Sequence, residues 1–386
     1  MDVRETVRPV LALPTLGPFD VVPRARTRAK APFPLGAPGF EATYLGRNAV
    51  YRAVKRLGLS GAEVLVPAYH HGVEISALIE AGADVRFVRV DGETLMLDLE
   101  DAAAQMSPRT RALYLIHYAG FPQPLDAARA FCRRHGLWLI EDCALATFSS
   151  DGTRALGSVG DAAIFCFYKT VPVPHGGGLL MRVDPQAATD GEPLSAPPWM
   201  PTISHSAGSL FLTGERALGR PGAWVRRVVR AMTDAFVAKA WESDVPVGTQ
   251  HFDRNVVTLG MSSVTRWMIR HVDAEKVVRR RRENWAALHQ RLGGLRPPVW
   301  KALPEGVCPL FYALRVEDKD RVLEHLHRHQ IEAVDFWRWS HPAMDASRFP
   351  EVERLRREVI ELPCHQDLTR DDLERIADVT RAALSA

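Results

Sequence analysis

The stretch ALYLIHYAGFPQPLDAARAFCRRHGLWLIEDCA, residues 112–144, decides the fold. It opens with a continuous apolar run, Ala112-Leu-Tyr-Leu-Ile116, and closes on a second, Leu137-Trp-Leu-Ile140. Between them, residues 125–135 repeat their apolar positions at helical spacing. A short run that is apolar at every position reads as a strand buried on both faces. A helix between two such runs is long enough to return the chain for parallel pairing. The alternation continues outward on both sides. Upstream, helices are predicted at 46–57, 73–81 and 97–106, and strands at 63–67 (stopped by Pro67) and 85–90. Downstream, 162–167 and 179–183 read as two more strands. Strands alternating with helices predict an α/β protein with a mostly parallel sheet covered by helices on both faces. Chemistry is then expected at the carboxyl ends of the strands.

The flanks read differently. Residues 1–38 are rich in Pro, Arg and Gly without a sustained period, so an irregular N-terminal arm is expected, lying on the surface or on a partner subunit. Residues 39–258 form the large α/β domain, with 185–255 as an irregular and helical insertion. Within it, 184–208 is rich in Pro, Ser and Ala, and 215–241 has helical periodicity with Arg on one face. Residues 259–386 are expected to be a smaller α+β domain. It is introduced by one long helix over 262–292, followed by a strand (310–316), a helix (319–330), a short strand (359–362) and a last helix (370–384).

Composition bounds the function. Hydrophobic residues at 46% and charged residues at 25% exclude a disordered or collagen-like chain. A net charge of +3 is too balanced to imply a nucleic-acid-binding surface. No apolar run approaches the roughly 20 residues that span a bilayer, and the first residues do not read as a signal peptide. The 5 cysteines are scattered without a CxxC pair, which predicts reduced thiols in a cytoplasmic protein.

Several residues carry possible chemistry. Asp142 stands just past the apolar run 137–140. Buried there, it needs a partner: a helix N-terminus, a scaffold arginine, or the cationic nitrogen of a ring. Lys169 follows the strand 162–167 and is either a solvated charge or, if desolvated, a nucleophilic amine. Gly176-Gly-Gly178 beyond it permits close backbone approach and suggests that something bulky is accommodated there. His175 before the glycines imitates a lipase oxyanion loop, but the Gly-x-Ser-x-Gly elbow is missing, so a serine hydrolase is excluded. Gly46-Arg47-Asn48 opens a helix whose free N–H groups suit a phosphate. Of His70-His71, adjacent histidines point apart and no zinc spacing exists elsewhere, so no metal is expected. One imidazole is read as stacking on a flat ring or as a satisfied loop residue. Arg279-Arg-Arg-Arg282 covers every face of a helix and reads as solvated or subunit-interface charge. Arg338, Trp339 and His341 are candidate substrate contacts, or simply core and rim.

The order of these segments resembles the DegT/StrS group of aminotransferases, which depend on pyridoxal 5'-phosphate (PLP), over residues 38–385. Leu45-Gly46-Arg47-Asn48-Ala49-Val50 falls at the family's phosphate turn, and Val64-Leu-Val-Pro67 on the strand leading to its ring-stacking residue. Arg109 to Gly120 is similar to the family's Thr-Lys-Ala…His-x-x-Gly strand, Glu141-Asp142-Cys143-Ala144 to Glu-Asp-x-Ala, and Lys169 with Gly177-Gly178 to the Schiff-base lysine and glycine loop. Met261-Ser262 and Glu361-Leu-Pro363-Cys-His365 match the second half.

The resemblance implies a fold-type I PLP-dependent transferase with a seven-stranded-type sheet, and a homodimer with shared active sites. It implies transfer of an amino group from a donor, L-glutamate, to a keto acceptor, a keto sugar or nucleotide-linked sugar in polysaccharide or secondary-metabolite biosynthesis. Lys169 and Asp142 become the catalytic residues. Gly46, Arg47, Asn48, His71, Asp142, Ala144, Cys166 and Lys169 become the cofactor-binding set, and His117 is assigned no role. The sequence departs from the family at Leu145, where Gln is usual, at Cys166, where Ser is usual, and near Asn255 and Thr258, where Asn-x-Arg is usual. The alternatives are a dehydratase-like enzyme of the same fold, in which histidine replaces the lysine, and a non-catalytic regulatory protein.

Overall fold

The computed structural model describes residues 8–17, 31–183, 192–199, 252–335 and 337–385. The expected helix at 215–241 lies outside them, as do most of the 185–255 insertion and much of the N-terminal arm.

Seven strands form the main sheet: β1 (Phe40–Thr43), β2 (Glu63–Pro67), β3 (Asp84–Val88), β4 (Thr110–Ile116), β5 (Trp138–Cys143), β6 (Ala162–Cys166) and β7 (Gly177–Met181), in the order β1-β7-β6-β5-β4-β2-β3. The pairs from β3 across to β6 are parallel, while β7 runs antiparallel to β6 and β1 antiparallel to β7. The chain returns between parallel strands through α1 (Gly46–Arg56), α2 (Val73–Glu80), α3 (Leu99–Gln105) and α4 (Leu125–His135). Strands β2, β6 and β7 are buried at every position, which explains their unbroken apolar sequences: helices and loops cover both faces. The edge strand β1 escaped the reading of the sequence. It has only four residues, and its alternation is too short to register.

The C-terminal part contains α5 (Ser263–Arg270), α6 (Ala274–Leu292), β8 (Phe311–Arg315), α7 (Lys319–Arg328), α8 (Pro350–Glu358), β9 (Val359–Pro363) and α9 (Arg370–Ser385), with β8 and β9 antiparallel. The single helix expected over 262–292 is in fact two. Asp273 accepts the N–H of Lys276 and caps α6, just as Ser262 accepts the N–H of Thr265 and caps α5. A capping side chain offers the backbone an alternative to continuing the helix, and so breaks an otherwise helical run. Helix α8 was also not anticipated, although Pro350 at its first turn is a start signal.

The described part of the N-terminal arm lies on this chain's own C-terminal part. Val10 donates to Gln330 O at 2.9 Å and accepts from Glu332 N at 2.9 Å, Ala12 N donates to Glu332 Oε2 at 2.9 Å, and Thr15 N donates to Asp367 Oδ2 at 3.1 Å. His365 Nδ1 accepts from Asp367 N, so Nε2 carries the proton and donates to Leu11 O at 3.1 Å. Val10 and Leu16 are fully buried.

Arg281 corrects the expectation for the arginine run. It is fully buried, and its guanidinium donates to Gln366 Oε1 and to the carbonyls of Pro309, Leu310 and Thr170. A buried cation persists only when its donors are matched in this way. Gln366 Nε2 donates to the same Thr170 carbonyl at 3.0 Å, so the C-terminal part grips the residue next to Lys169.

Candidate active site

Helix α1 begins where β1 ends. Leu45 is its extended N-cap, no side chain caps it, and its first turn carries no acid. Two glycines let this helix end reach the sheet. A Cβ on Gly46 would lie 3.3 Å from Phe165 O and Cys166 Cβ, and one on Gly177 only 2.2 Å from Leu45 C and 2.5 Å from Gly46 N. The glycine triplet is therefore filled by the protein itself, not by a bulky ligand as the sequence suggested: Gly177 admits the helix end, and Gly178 admits the Phe40 ring. Arg47 is buried and bonds to the Tyr168 hydroxyl. Asn48 turns away from the site. Its Nδ2 donates to Val256 O at 2.5 Å and its backbone N–H to Leu45 O.

Strand β5 runs on through Cys143, so Glu141 and Asp142 lie within the strand and face opposite sides of the sheet. Asp142 Oδ2 accepts from the Tyr114 hydroxyl at 2.5 Å and Oδ1 from Ala144 N at 2.8 Å. Burial pushes its carboxyl above the usual range, against the pull of these donors and of the Lys169 charge. Glu141 Oε1 accepts from Val159 N and Gly160 N, and Oε2 from Gly157 N and His117. His117 Nδ1 accepts from Gln123 N, so Nε2 is the donor to Glu141 at 3.0 Å. Burial alone would raise Glu141, but these donors hold it below the usual carboxylate value. His117, Glu141 and Cys143 cluster closely enough to hold a metal. The two nitrogens and both carboxylate oxygens are already committed to protein partners, so the cluster reads as a structural knot.

Beyond β6, residues Phe167–Lys169 make one 3-10 turn, held by Phe167 N on Gly176 O and by Thr170 N and Val171 N on Phe167 O. The turn presents Lys169 at the end of the strand.

The two histidines divide their work. His70 is fully buried, rests on Phe87 at 5.2 Å, and accepts His341 N–H through Nε2, which leaves Nδ1 to donate to Pro67 O. His71 is partly buried on the site, and burial together with Lys169 and Arg47 depresses its imidazole to about 3. It is neutral at physiological pH.

One cavity of about 190 Å³ gathers Gly46, Arg47, His71, Asp142, Ala144, Cys166 and Lys169, every residue of the expected set except Asn48. Leu145 lines it as well, and so do residues that the sequence reading missed: Glu74, Tyr168, Trp337, and Ala12 and Leu13 of the arm. Tyr168 could have been suspected from its place beside Lys169. Glu74 and the arm carry no local signal, because tertiary packing alone brings them in. Arg338 instead pairs with Asp320 and Asp335 on the surface, Trp339 is exposed, and His341 contributes its backbone to His70; none of the three lines the cavity. His175 packs on Tyr44 at 4.4 Å, outside it. Asn255 is exposed on a 3-10 turn.

Comparison with known proteins bears on the same elements. The model of the DegT/DnrJ/EryC1/StrS aminotransferase family matches residues 42–197 and 267–381, which include β5, the Lys169 turn and both C-terminal strands. The chain belongs to that family. This aminotransferase is 27% identical over 383 residues to dTDP-4-dehydro-2,3,6-trideoxy-D-glucose 4-aminotransferase of Saccharopolyspora spinosa, covering 94% of this chain and 89% of the relative. It is 25% identical over 352 residues to UDP-N-acetyl-3-dehydro-alpha-D-glucosamine 3-aminotransferase of Acidithiobacillus ferrooxidans, covering 88% and 82%. Among solved structures, the aminotransferase TlmJ of Streptoalloteichus hindustanus shares the fold at a TM-score of 0.62 and 24% identity, over 90% of this chain and 86% of that one. The fold-type I architecture expected from the sequence is thus the fold of this aminotransferase. Among its described residues, no helix is long and apolar enough to cross a membrane.

Proposed function

We propose that this aminotransferase moves an amino group from L-glutamate to a keto sugar carried on a nucleotide, with pyridoxal 5'-phosphate held in the cavity between α1, β5 and the Lys169 turn. The reading rests above all on one observation: a lysine and a buried carboxylate meet on one cavity at the end of an uncapped helix. The donor chemistry fits the cofactor. An uncapped helix N-terminus with Arg47 beside it suits a phosphate, a buried carboxylate suits a protonated ring nitrogen, and a neutral imidazole suits a ring face. The relatives named above act on nucleotide-linked keto sugars, which supports the acceptor class.

When bound, pyridoxal phosphate supplies an electron-accepting ring that carries nitrogen between two substrates. Gly46 and Arg47 would hold the phosphate, and His71 would lie against the ring. Asp142, fixed by Tyr114 and Ala144, would keep a proton on the ring nitrogen. Lys169 Nζ would anchor the cofactor and, once displaced by the amine of the donor, would be the free base placed to hold and move a proton in the cavity. Leu145 and Cys166, where the family uses Gln and Ser, give this site an apolar floor and a thiol that burial keeps protonated. A homodimer, as the family resemblance implies, in the cytoplasm, as the scattered cysteines suggest, belongs to the same reading.

The dehydratase alternative needs a histidine at the lysine's place; Lys169 occupies the cavity and His175 lies outside it. The test is an absorbance spectrum of purified protein with PLP, before and after L-glutamate, for wild type and Lys169→Ala. Wild type is expected to gain a visible band that L-glutamate bleaches, and the variant to show no bleaching at a catalytic rate. A folded wild type that binds no PLP, or a band that ignores every amino donor, would overturn the proposal.

A further inference from the structure

Among the described residues, the cavity holds a second buried carboxyl for which the mechanism has no use. Glu74 sits in the first turn of α2, 7% exposed, and lines the same wall as Asp142. Its Oε1 reaches back across Gly72, whose φ of 105° only glycine adopts freely, and accepts the backbone N–H of His71 at 2.8 Å. The residue expected to face the cofactor ring is thus tied to the helix by a carboxyl that looks into the same space. The charged and titratable groups around Glu74 come from every neighbouring element: Asp142 from β5, Tyr114 from β4, Tyr118 just beyond it, Lys169 from the turn after β6, and Arg356 from α8. The two carboxyls line one cavity with Lys169 and Arg47, and the charge of Asp142 opposes ionisation of Glu74.

We propose that Glu74 is a positioning residue that sets His71 against the ring and, through the proton it carries, adjusts the negative charge beneath the cofactor's ring nitrogen. The proposal rests on reading the cavity as a pyridoxal phosphate site. Burial first, and Asp142 second, push Glu74 up to about 7, overriding the helix N-terminus and the His71 N–H that favour its ionised form. Below neutrality Glu74 is protonated and Asp142 alone meets the ring; above it a second anion stands beside Asp142. A bound ring cation lowers Glu74 in turn, and each whole pH unit of lowering is read as about a tenfold tightening of cofactor binding as pH rises through 7.

The experiment measures the dissociation constant of PLP by equilibrium dialysis between pH 5.5 and 8.5 for wild type, Glu74→Gln and Glu74→Asp. In parallel, urea unfolding of the cofactor-free proteins is followed between pH 4.5 and 8.5. Gln keeps an oxygen for His71 N–H but cannot ionise, so it separates charge from structure. Wild type is expected to show a tightening centred near pH 7 that Gln lacks and Asp restores in part. Without cofactor, the native state of wild type holds the Glu74 proton more tightly than the unfolded chain does. Its folding constant should therefore fall relative to Gln, by about two orders of magnitude, as pH climbs from 4.5 to 7. Superimposable pH profiles for wild type and Gln, with PLP bound by both, overturn the role of Glu74 and leave the cofactor reading standing. No PLP binding at any pH overturns both.

Discussion

Gly177→Ala is the sharpest structural test of how the proposed phosphate end of the site is built. The added Cβ would stand 2.2 Å from the carbonyl carbon of Leu45, 2.3 Å from its oxygen and 2.5 Å from Gly46 N. All three are backbone atoms, so no side chain can swing aside. Reaching ordinary contact at 3.4 Å requires β7 and the start of α1 to separate by about 1.2 Å. Strand β7 is pinned between β6 and β1, so the helix end must give. Overpacking of this kind costs about 3 kcal/mol, the upper end of the usual range. A displacement of about 1 Å in a group that positions a ligand costs up to about a hundredfold. Gly177→Ala is therefore expected to lower the thermal midpoint by several degrees and to weaken PLP binding by ten- to a hundredfold. Gly178→Ala is the control. Its Cβ meets the edge of the Phe40 ring at 2.5 Å, a side chain that can rotate, and it stands away from the helix end. It should lose stability while keeping its affinity for PLP. Scanning calorimetry and equilibrium dialysis on both variants decide the matter. Wild-type melting and affinity in Gly177→Ala, or equal losses of affinity in the two variants, would refute the argument that Gly177 exists to seat α1.

Three further outcomes follow from the geometry. Tyr114→Phe removes the hydroxyl 2.5 Å from Asp142, so the Asp142 carboxyl should rise further and PLP affinity fall about tenfold, most steeply at low pH; an unchanged dissociation constant across pH 6–8 would contradict it. Arg281→Met leaves the carbonyls of Pro309, Leu310 and Thr170 buried without this donor, and should cost about 3 kcal/mol in urea unfolding, against no loss if the guanidinium were merely solvated. Glu141, held below its ordinary 4.5 in the folded state, adds stability above that pH and loses it as the medium is acidified through the lower native value. Glu141→Gln should thus destabilise strongly at pH 7 and much less at pH 3, and equal losses at both would show that the charge is irrelevant.

Most of the sheet was legible because its central strands are buried on both sides and so appear as unbroken apolar runs: 112–116 and 137–140 located β4 and β5 without further help. Asp142 and Lys169 were legible for a related reason. A charged residue at or just beyond the end of such a run is conspicuous. What stayed hidden depends on tertiary contact. The break between α5 and α6 turns on one capping aspartate in a chain that is helical in pattern on both sides. Arg281 looks like its three neighbours in sequence and differs from them only in what folds over it. Asn48 has the residue type a phosphate turn uses, yet Val256, 208 positions away, claims its side chain. Glu74 gives no sign in sequence of the burial that it acquires when α2 packs in place.

The arm segment around Ala12 and Leu13 belongs by hydrogen bonding to the C-terminal part of the chain, yet it walls a cavity whose reactive groups all come from the seven-stranded sheet and its loops. The molecule thereby separates two kinds of change. Asp142 is locked into a buried strand and Lys169 into the turn that follows another, where a substitution is felt in the core. The arm segment stands on its own short stretch of backbone and meets the cavity with the apolar side chains of Ala12 and Leu13. A lineage can therefore alter the bulk that the cavity admits at this seam, one residue at a time, while Asp142 and Lys169 remain fixed.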